Sequence, residues 1–188
     1  MKLQIYIQRE IRDNKGRLIS FKKQESNSLV RAFLDILYCQ VTQGSLISVV
    51  DTSNIARTVV TYATDLALTG GAGNDVFGVL VGSGSTAVSV TDYKLATQIL
   101  NGSTSGKLNH LTTTMTQPAT IGTTHSFTIA RGFTNVSGSP VSVSEVGLVA
   151  AGHVGAGDLW FLIDRTLMSF VIAHNATGTV TYTIQVSV

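Results

Sequence analysis

Two glycine-rich runs and three charged residues are the places where this sequence could do chemistry. Gly70-Gly71-Ala72-Gly73-Asn74-Asp75-Val76-Phe77-Gly78 fits the nonapeptide G-G-x-G-x-D-x-U-x, which binds calcium between stacked turns of a β-helix. Calcium takes roughly six to eight oxygens, and a single copy of the pattern supplies only part of that shell. Asp75 is therefore at most an isolated calcium ligand, and its expected role is that of a turn residue entering a strand. The second run, Gly82-Ser83-Gly84-Ser85-Thr86-Ala87, resembles a dinucleotide fingerprint. That chemistry needs a helix N-terminus at the pyrophosphate and an acidic residue about 20 positions on. Here the loop runs into Val88-Ser89-Val90, which prefers extended structure, and residues 93–144 hold no Asp or Glu. No cofactor is expected.

Glu145 lies in the core-like stretch Val143-Ser144-Glu145-Val146-Gly147-Leu148, and Arg131 and Arg165 lie in or beside other apolar stretches. A charge in such a place needs a partner. A structural Glu145–arginine pair, with Arg131 or Arg165, is expected over a catalytic carboxylate. His110, His125, His153 and His174 are scattered without metal-binding spacing. No nucleophile elbow, paired carboxylates or Cys/His arrangement is present, so no enzyme is expected. The single cysteine, Cys39, sits in an apolar helical pattern and reads as a buried, inert thiol. The sequons at Asn101, Asn135 and Asn175 mark loops.

The elements that must carry these residues are mostly strands. Leu3, Ile5 and Ile7 alternate with polar neighbours, Asp13-Asn14-Lys15-Gly16 is turn chemistry, and Arg17–Lys22 returns as a second strand. Lys2 and Arg9 on the first strand, with Lys22 and Lys23 on the second, would guard an exposed sheet edge. One amphipathic helix follows. Asn27 or Ser28 is its expected cap, Leu29, Val30, Phe33, Leu34, Leu37, Tyr38 and Val41 form its apolar stripe, and Gly44 stops it. Further strands are expected at 46–50, 57–62, 76–81, 112–116, 126–133, 141–149, 159–163, 169–173 and 178–188. Residues 92–99 form either a short helix or an irregular crossing. Many short strands without strand–helix alternation predict an antiparallel β-sandwich, jelly-roll-like or Ig-like, with an N-terminal hairpin and one amphipathic α-helix. The chain reads as a single domain, 1–188, with the hairpin and helix in 1–44 and the sandwich body in 45–188.

Charged residues are 13% of the chain, about half the usual ~25%, which suits a surface covered by neighbours. The net charge of +2 is too small to suggest nucleic acid. The opening MKLQIYIQREIRDNKGR is too polar for a signal peptide, and no apolar run is long enough for a membrane helix. Synthesis in a cytoplasm and no membrane partner are the expectations.

Several segments, taken in order, resemble a module of tailed-bacteriophage structural proteins. Phe77-Gly78-Val79-Leu80-Val81-Gly82-Ser83-Gly84-Ser85-Thr86-Ala87-Val88 and then Thr91-Asp92-Tyr93-Lys94-Leu95 are similar to its apolar strand, Gly-x-Gly loop and Asp-Tyr-x-Leu segment. Phe127–Phe133, the turn Asn135–Gly138, Ser144-Glu145-Val146-Gly147-Leu148, Leu162-Ile163-Asp164-Arg165-Thr166-Leu167 and Gly178–Ile184 follow in the same order, and 18–40 is similar more loosely. The resemblance implies a β-sandwich in a virion, made in the host cytoplasm, whose partners are other virion proteins and copies of itself. It does not indicate head decoration, neck or tail and fibre attachment, and it carries over no catalytic or binding residue. The rival expectation is a host-surface receptor or carbohydrate-binding sandwich, which needs exposed aromatics around a groove. Aromatics are only 7%, and the sole tryptophan, Trp160, lies in the apolar run Leu159–Ile163, which favours the scaffold.

Overall fold

The first two strands form a hairpin because the chain alternates on either side of a well-made turn. The computed structural model describes residues 2–26, 28–42, 45–60, 67–154 and 157–187. Strand β1 (Lys2–Arg12) buries Ile5, Ile7 and Ile11 on one face. Asp13 Oδ1 accepts hydrogen bonds from the backbone N–H groups of Lys15 and Arg17, Gly16 takes the positive φ of 76° that the turn requires, and β2 (Leu18–Ser26) returns. Strand β2 is the sheet edge, with exposed Lys22 and Lys23. Arg9 is no guard of that edge: β1 is flanked by neighbours on both sides, and the Arg9 guanidinium bonds Ser20 Oγ at 2.8 Å and stacks 5.3 Å from the Phe170 ring centre.

The expected helix is present, but it starts later and turns another face inward. Ser28 is not its cap. Residues 28–30 run extended along a strand of the second sheet: the Arg165 N–H donates to Ser28 O and the Val30 N–H to Ile163 O. Those bonds hold the backbone out of helix until Arg31, and α1 is Arg31–Thr42. Its buried residues are Ala32, Ile36 and Cys39, with Phe33 half-buried, whereas Leu34, Leu37 and Tyr38 of the expected stripe are exposed. Asn27, Gly44 and the side chain of Val41 lie outside the described residues.

A hairpin of β3 (Ser45–Val50) and β4 (Ala56–Val60) comes next, and then β5 (Gly78–Gly82), whose five residues are all buried. Residues 92–99 resolve into the irregular crossing. They run beside β5, with the Ile99 N–H on Val81 O and the Ser83 N–H on Thr97 O. Short strands β6 (Asn109–His110), β7 (Thr114–Met115) and β8 (Ala119–Ile121) all pair with β9 (Thr124–Thr134). The chain closes with β10 (Val141–Val154), β11 (Gly157–Ile172) and β12 (Thr177–Ser187). Strand β11 is one element where the sequence suggests two. Asp164 and Arg165 look like a break in an apolar run, yet both are buried and bonded, so pairing with β10 continues through them.

The strands form two main antiparallel sheets. The larger has the order β2-β1-β12-β9-β6, and β1 and β12 pair in continuous register from Lys2↔Ser187 to Arg12↔Thr177. The smaller is β11-β10-β5. Their buried side chains, among them Ile7, Ile129, Phe133 and Tyr182 from one sheet and Val146, Leu148, Phe161 and Ile172 from the other, share one hydrophobic core. This is a mainly β, sandwich-like architecture with a single helix among the described residues. Near its centre the smaller sheet is buried on both faces. Strand β10 is covered inside by the core and outside by the segment 82–99, where Leu95 packs onto the bare backbone of Gly147.

Candidate functional site

Glu145 stands on the outward face of β10, beneath the second glycine loop, and is completely buried. Four donors meet its carboxylate. The backbone N–H groups of Gly84 and Thr97 donate to Oε1 at 3.1 and 2.8 Å, and that of Ala96 donates to Oε2 at 3.1 Å. Arg165 Nε donates to Oε2 at 2.6 Å. The register places Arg165 opposite Gly147, diagonal to Glu145 on the same face. Arg165 also reaches Asp92 Oδ2 at 2.8 Å, and the carbonyl and hydroxyl oxygens of Thr86 at 3.0 Å each. Burial opposes its charge, but the bonds to Glu145 and Asp92 prevail and hold the guanidinium above its usual range.

The need for glycine in this loop is steric. A Cβ on Gly82 or Gly84 would lie 2.5 Å from Glu145 Oε1, so only bare backbone can close over the carboxylate. The loop that resembles a phosphate cradle lends one N–H, that of Gly84, to the chain's own glutamate, and the crossing segment supplies the other two backbone donors.

Arg131 does not pair with Glu145. It lies on β9, facing the first glycine loop, and is 1% exposed. Its Nε donates to Leu111 O at 2.7 Å, and its terminal nitrogens donate to the carbonyls of Gly71, Asn74, Phe77 and Val79 at 2.9, 2.5, 3.3 and 3.2 Å. Desolvation pulls its pKa down to about 10, so it stays charged at neutral pH. The carbonyls that would face a cation in the calcium-like loop face this guanidinium. Asp75 sits at the end of that loop with Oδ2 accepting from the Asn101 N–H at 2.9 Å. No group of three His, Cys, Asp or Glu side chains converges among the described residues.

The histidines are dispersed as well. His110 is buried edge-on against Phe133, with ring centres 5.0 Å apart. Neither ring nitrogen makes a well-aligned hydrogen bond among the described residues, although the backbone of Asn74 and Ile99 lies near enough to favour the protonated ring weakly. Burial first, and the nearby Arg131 second, depress its pKa to about 4. His125 and His174 make surface bonds to Thr120 and to the Gly138 N–H, and the His153 side chain lies outside the described residues. Cys39 is buried on the inner face of α1, its Sγ 3.9 Å from Val59 O.

Sequence reasoning missed Asp164. It points into the core from β11, and its bonds are to hydroxyls. Oδ1 accepts from Ser26 Oγ at 2.5 Å, and Oδ2 accepts from Tyr182 Oη at 3.0 Å and lies 3.1 Å from Thr166 Oγ1. Burial raises its pKa despite these bonds. The network joins β2, β11 and β12 and so ties one sheet to the other. The available signal was Asp164 itself, a second charge inside an apolar run. Also missed was the surround of Trp160, which lines an outer cleft.

The fold and these clusters define a β-sandwich whose two glycine loops are each closed on an internal ion. A scan against protein-family models gave no match, and neither the curated proteins nor the solved structures contained one.

Proposed function

We propose that the chain is a non-enzymatic structural subunit of a tailed-bacteriophage virion, a head-decoration, neck or tail and fibre-attachment component acting through protein–protein packing. The observation that carries this reading is where the phage-like segments meet. Phe77–Val88, Thr91–Leu95, Ser144–Leu148 and Leu162–Leu167 are scattered along the chain, yet they supply Gly82, Gly84, Asp92, Glu145 and Arg165 to one buried brace. A motif whose charged residues are consumed in holding loops to a sheet suits a scaffold. Exposed Leu18, Ile19 and Phe21 on edge strand β2, and Leu34, Leu37 and Tyr38 on α1, suit contact with neighbouring subunits, copies of the same chain among them. Among the described residues no helix is long and apolar enough to cross a membrane.

The test is to purify particles by density gradient from a producing culture and measure the chain by quantitative mass spectrometry. A fixed copy number per particle, with matching density in a reconstruction, is expected. Recovery only as a free cytoplasmic monomer, absent from purified particles, would overturn the reading.

A further inference from the structure

A cleft of about 300 Å³ opens on the outer side of the smaller sheet, at the low end of the size range of small-molecule sites. Four separate parts of the chain build it. Trp160 comes from β11, Thr52 and Ser53 from the β3–β4 turn, Asp75 from the end of the first glycine loop, and Lys94 and Gln98 from the crossing segment. Buried Leu80, Leu95 and Val149 form its apolar floor.

The walls are held from behind, so the site is preformed. The Thr52 N–H donates to Trp160 O at 2.9 Å, which fastens the turn beside the indole. Asp51 fixes that turn in place. Its Oδ1 accepts from the N–H groups of Ser53 and Ile55 at 2.9 Å, and Oδ2 accepts from Arg57 Nε at 2.6 Å. The Asp75 carbonyl accepts from Gln98 Nε2, and Asp75 Oδ2 accepts from the Asn101 N–H. After these bonds, and among the described residues, Asp75 Oδ1 and the hydroxyls of Thr52 and Ser53 have no hydrogen-bond partner, and the Lys94 ammonium lies 5.6 Å from the Tyr93 ring centre with its N–H groups unbonded.

We infer that this cleft binds a neutral saccharide. A sugar ring has an apolar C–H face and a rim of hydroxyls, and the cleft offers both complements. An aromatic ring beside an apolar floor takes the first. One carboxylate acceptor, one ammonium donor and two hydroxyls of either sense take the second. The Asp75 charge lies in the field of buried Arg131 and the Lys94 ammonium lies over Tyr93, so neither demands an ionic ligand, which favours an uncharged one over a phosphate or a peptide terminus. Such residues fix orientation and specificity in a mostly apolar pocket.

The inference rests on the cleft alone, so it stands or falls separately from the virion reading. The intact chain is applied to an array of hexose, N-acetylhexosamine and deoxyhexose oligosaccharides, and the best binder is titrated by calorimetry and by tryptophan emission. Trp160 is the only tryptophan, so a shift in its emission reports this cleft and nowhere else. Saturable binding with an emission shift is expected. Lys94→Ala should weaken it roughly tenfold with an unchanged melting temperature, since Lys94 is exposed and a hydrogen bond to a charged group has about that effect. Ser53→Ala provides a second variant that leaves the core untouched and should weaken binding in the same direction. Absence of any array signal overturns the proposal. So does binding that neither moves the emission nor responds to the two variants, or selection of peptides in place of sugars.

Discussion

A buried carboxylate must find its donors within the chain, and Glu145 finds four. Glu145→Gln keeps the shape but removes the charge and turns an N–H₂ toward other donors, leaving Arg165 with Asp92 as its one remaining counter-ion. We expect a loss of about 3–5 kcal/mol in urea unfolding, and Arg165→Met should cost about as much. Glu145→Gln combined with Arg165→Met should cost clearly less than the two single losses summed, because neither member of the Glu145–Arg165 pair is then left charged without the other. If the double variant is simply additive, the pair is not coupled. Gly84→Ala should destabilise by about 1–3 kcal/mol through overpacking, since its new methyl would meet Glu145 Oε1 and Ala96 Cβ at 2.5 and 2.6 Å. Much of this site is legible in the sequence. A glutamate in an apolar strand demands a cation, and glycines in a loop announce a close approach. The choice of Arg165 over Arg131 is not legible, because it depends on which strand flanks β10. Nor is the guest of the glycine loop, which lies 61 residues away from Gly84.

At the level of elements, α1 shows where pattern reading stops. Its periodicity is visible, but two apolar faces compete, and only the neighbours β3, β4 and β11 decide which is covered. Ile36→Ala should cost about 2–5 kcal/mol as a core truncation. Leu34→Gln and Leu37→Gln should stay within about 0.5 kcal/mol, as thermal unfolding of the three variants can establish. The hairpin β1–β2 is legible because its turn chemistry and alternation agree. The length of β11 is not, since buried Asp164 and Arg165 resemble a break until their partners are known. β8 is missed for another reason: Ala119–Ile121 is a short, fully exposed segment held by pairing with β9, and it has no burial pattern to detect.

The whole molecule should respond to acid through two buried groups acting in opposite directions. His110 is held neutral, with a pKa of about 4 against an ordinary 6.5. Its contribution is complete above pH 6.5 and is lost as pH falls toward 4, because the unfolded chain takes up the proton first. The size of that loss is about 3 kcal/mol. Asp164, with its raised pKa, works the other way: its burial penalty eases once acid protonates it. Denaturation measured from about pH 7 to about pH 4 should therefore show falling stability, and His110→Leu should flatten that slope. An unchanged slope would assign the acid response elsewhere. The brace has a further consequence, in the order of assembly. Sliding β11 by one residue along β10 would send Arg165 into the core and Asp164 outward beneath the glycine loop, exchanging the sign of charge on each face. Glu145 would then meet a carboxylate, and the loop could not close. The buried ions should therefore disfavour the slipped register of this long hairpin, a check that hydrophobic packing alone applies weakly along a strand with Val, Leu and Ile on both sides. With both Glu145 and Arg165 replaced by leucine, we expect amide spectra with doubled resonances from β10 and β11, the trace of two registers where the native chain has one.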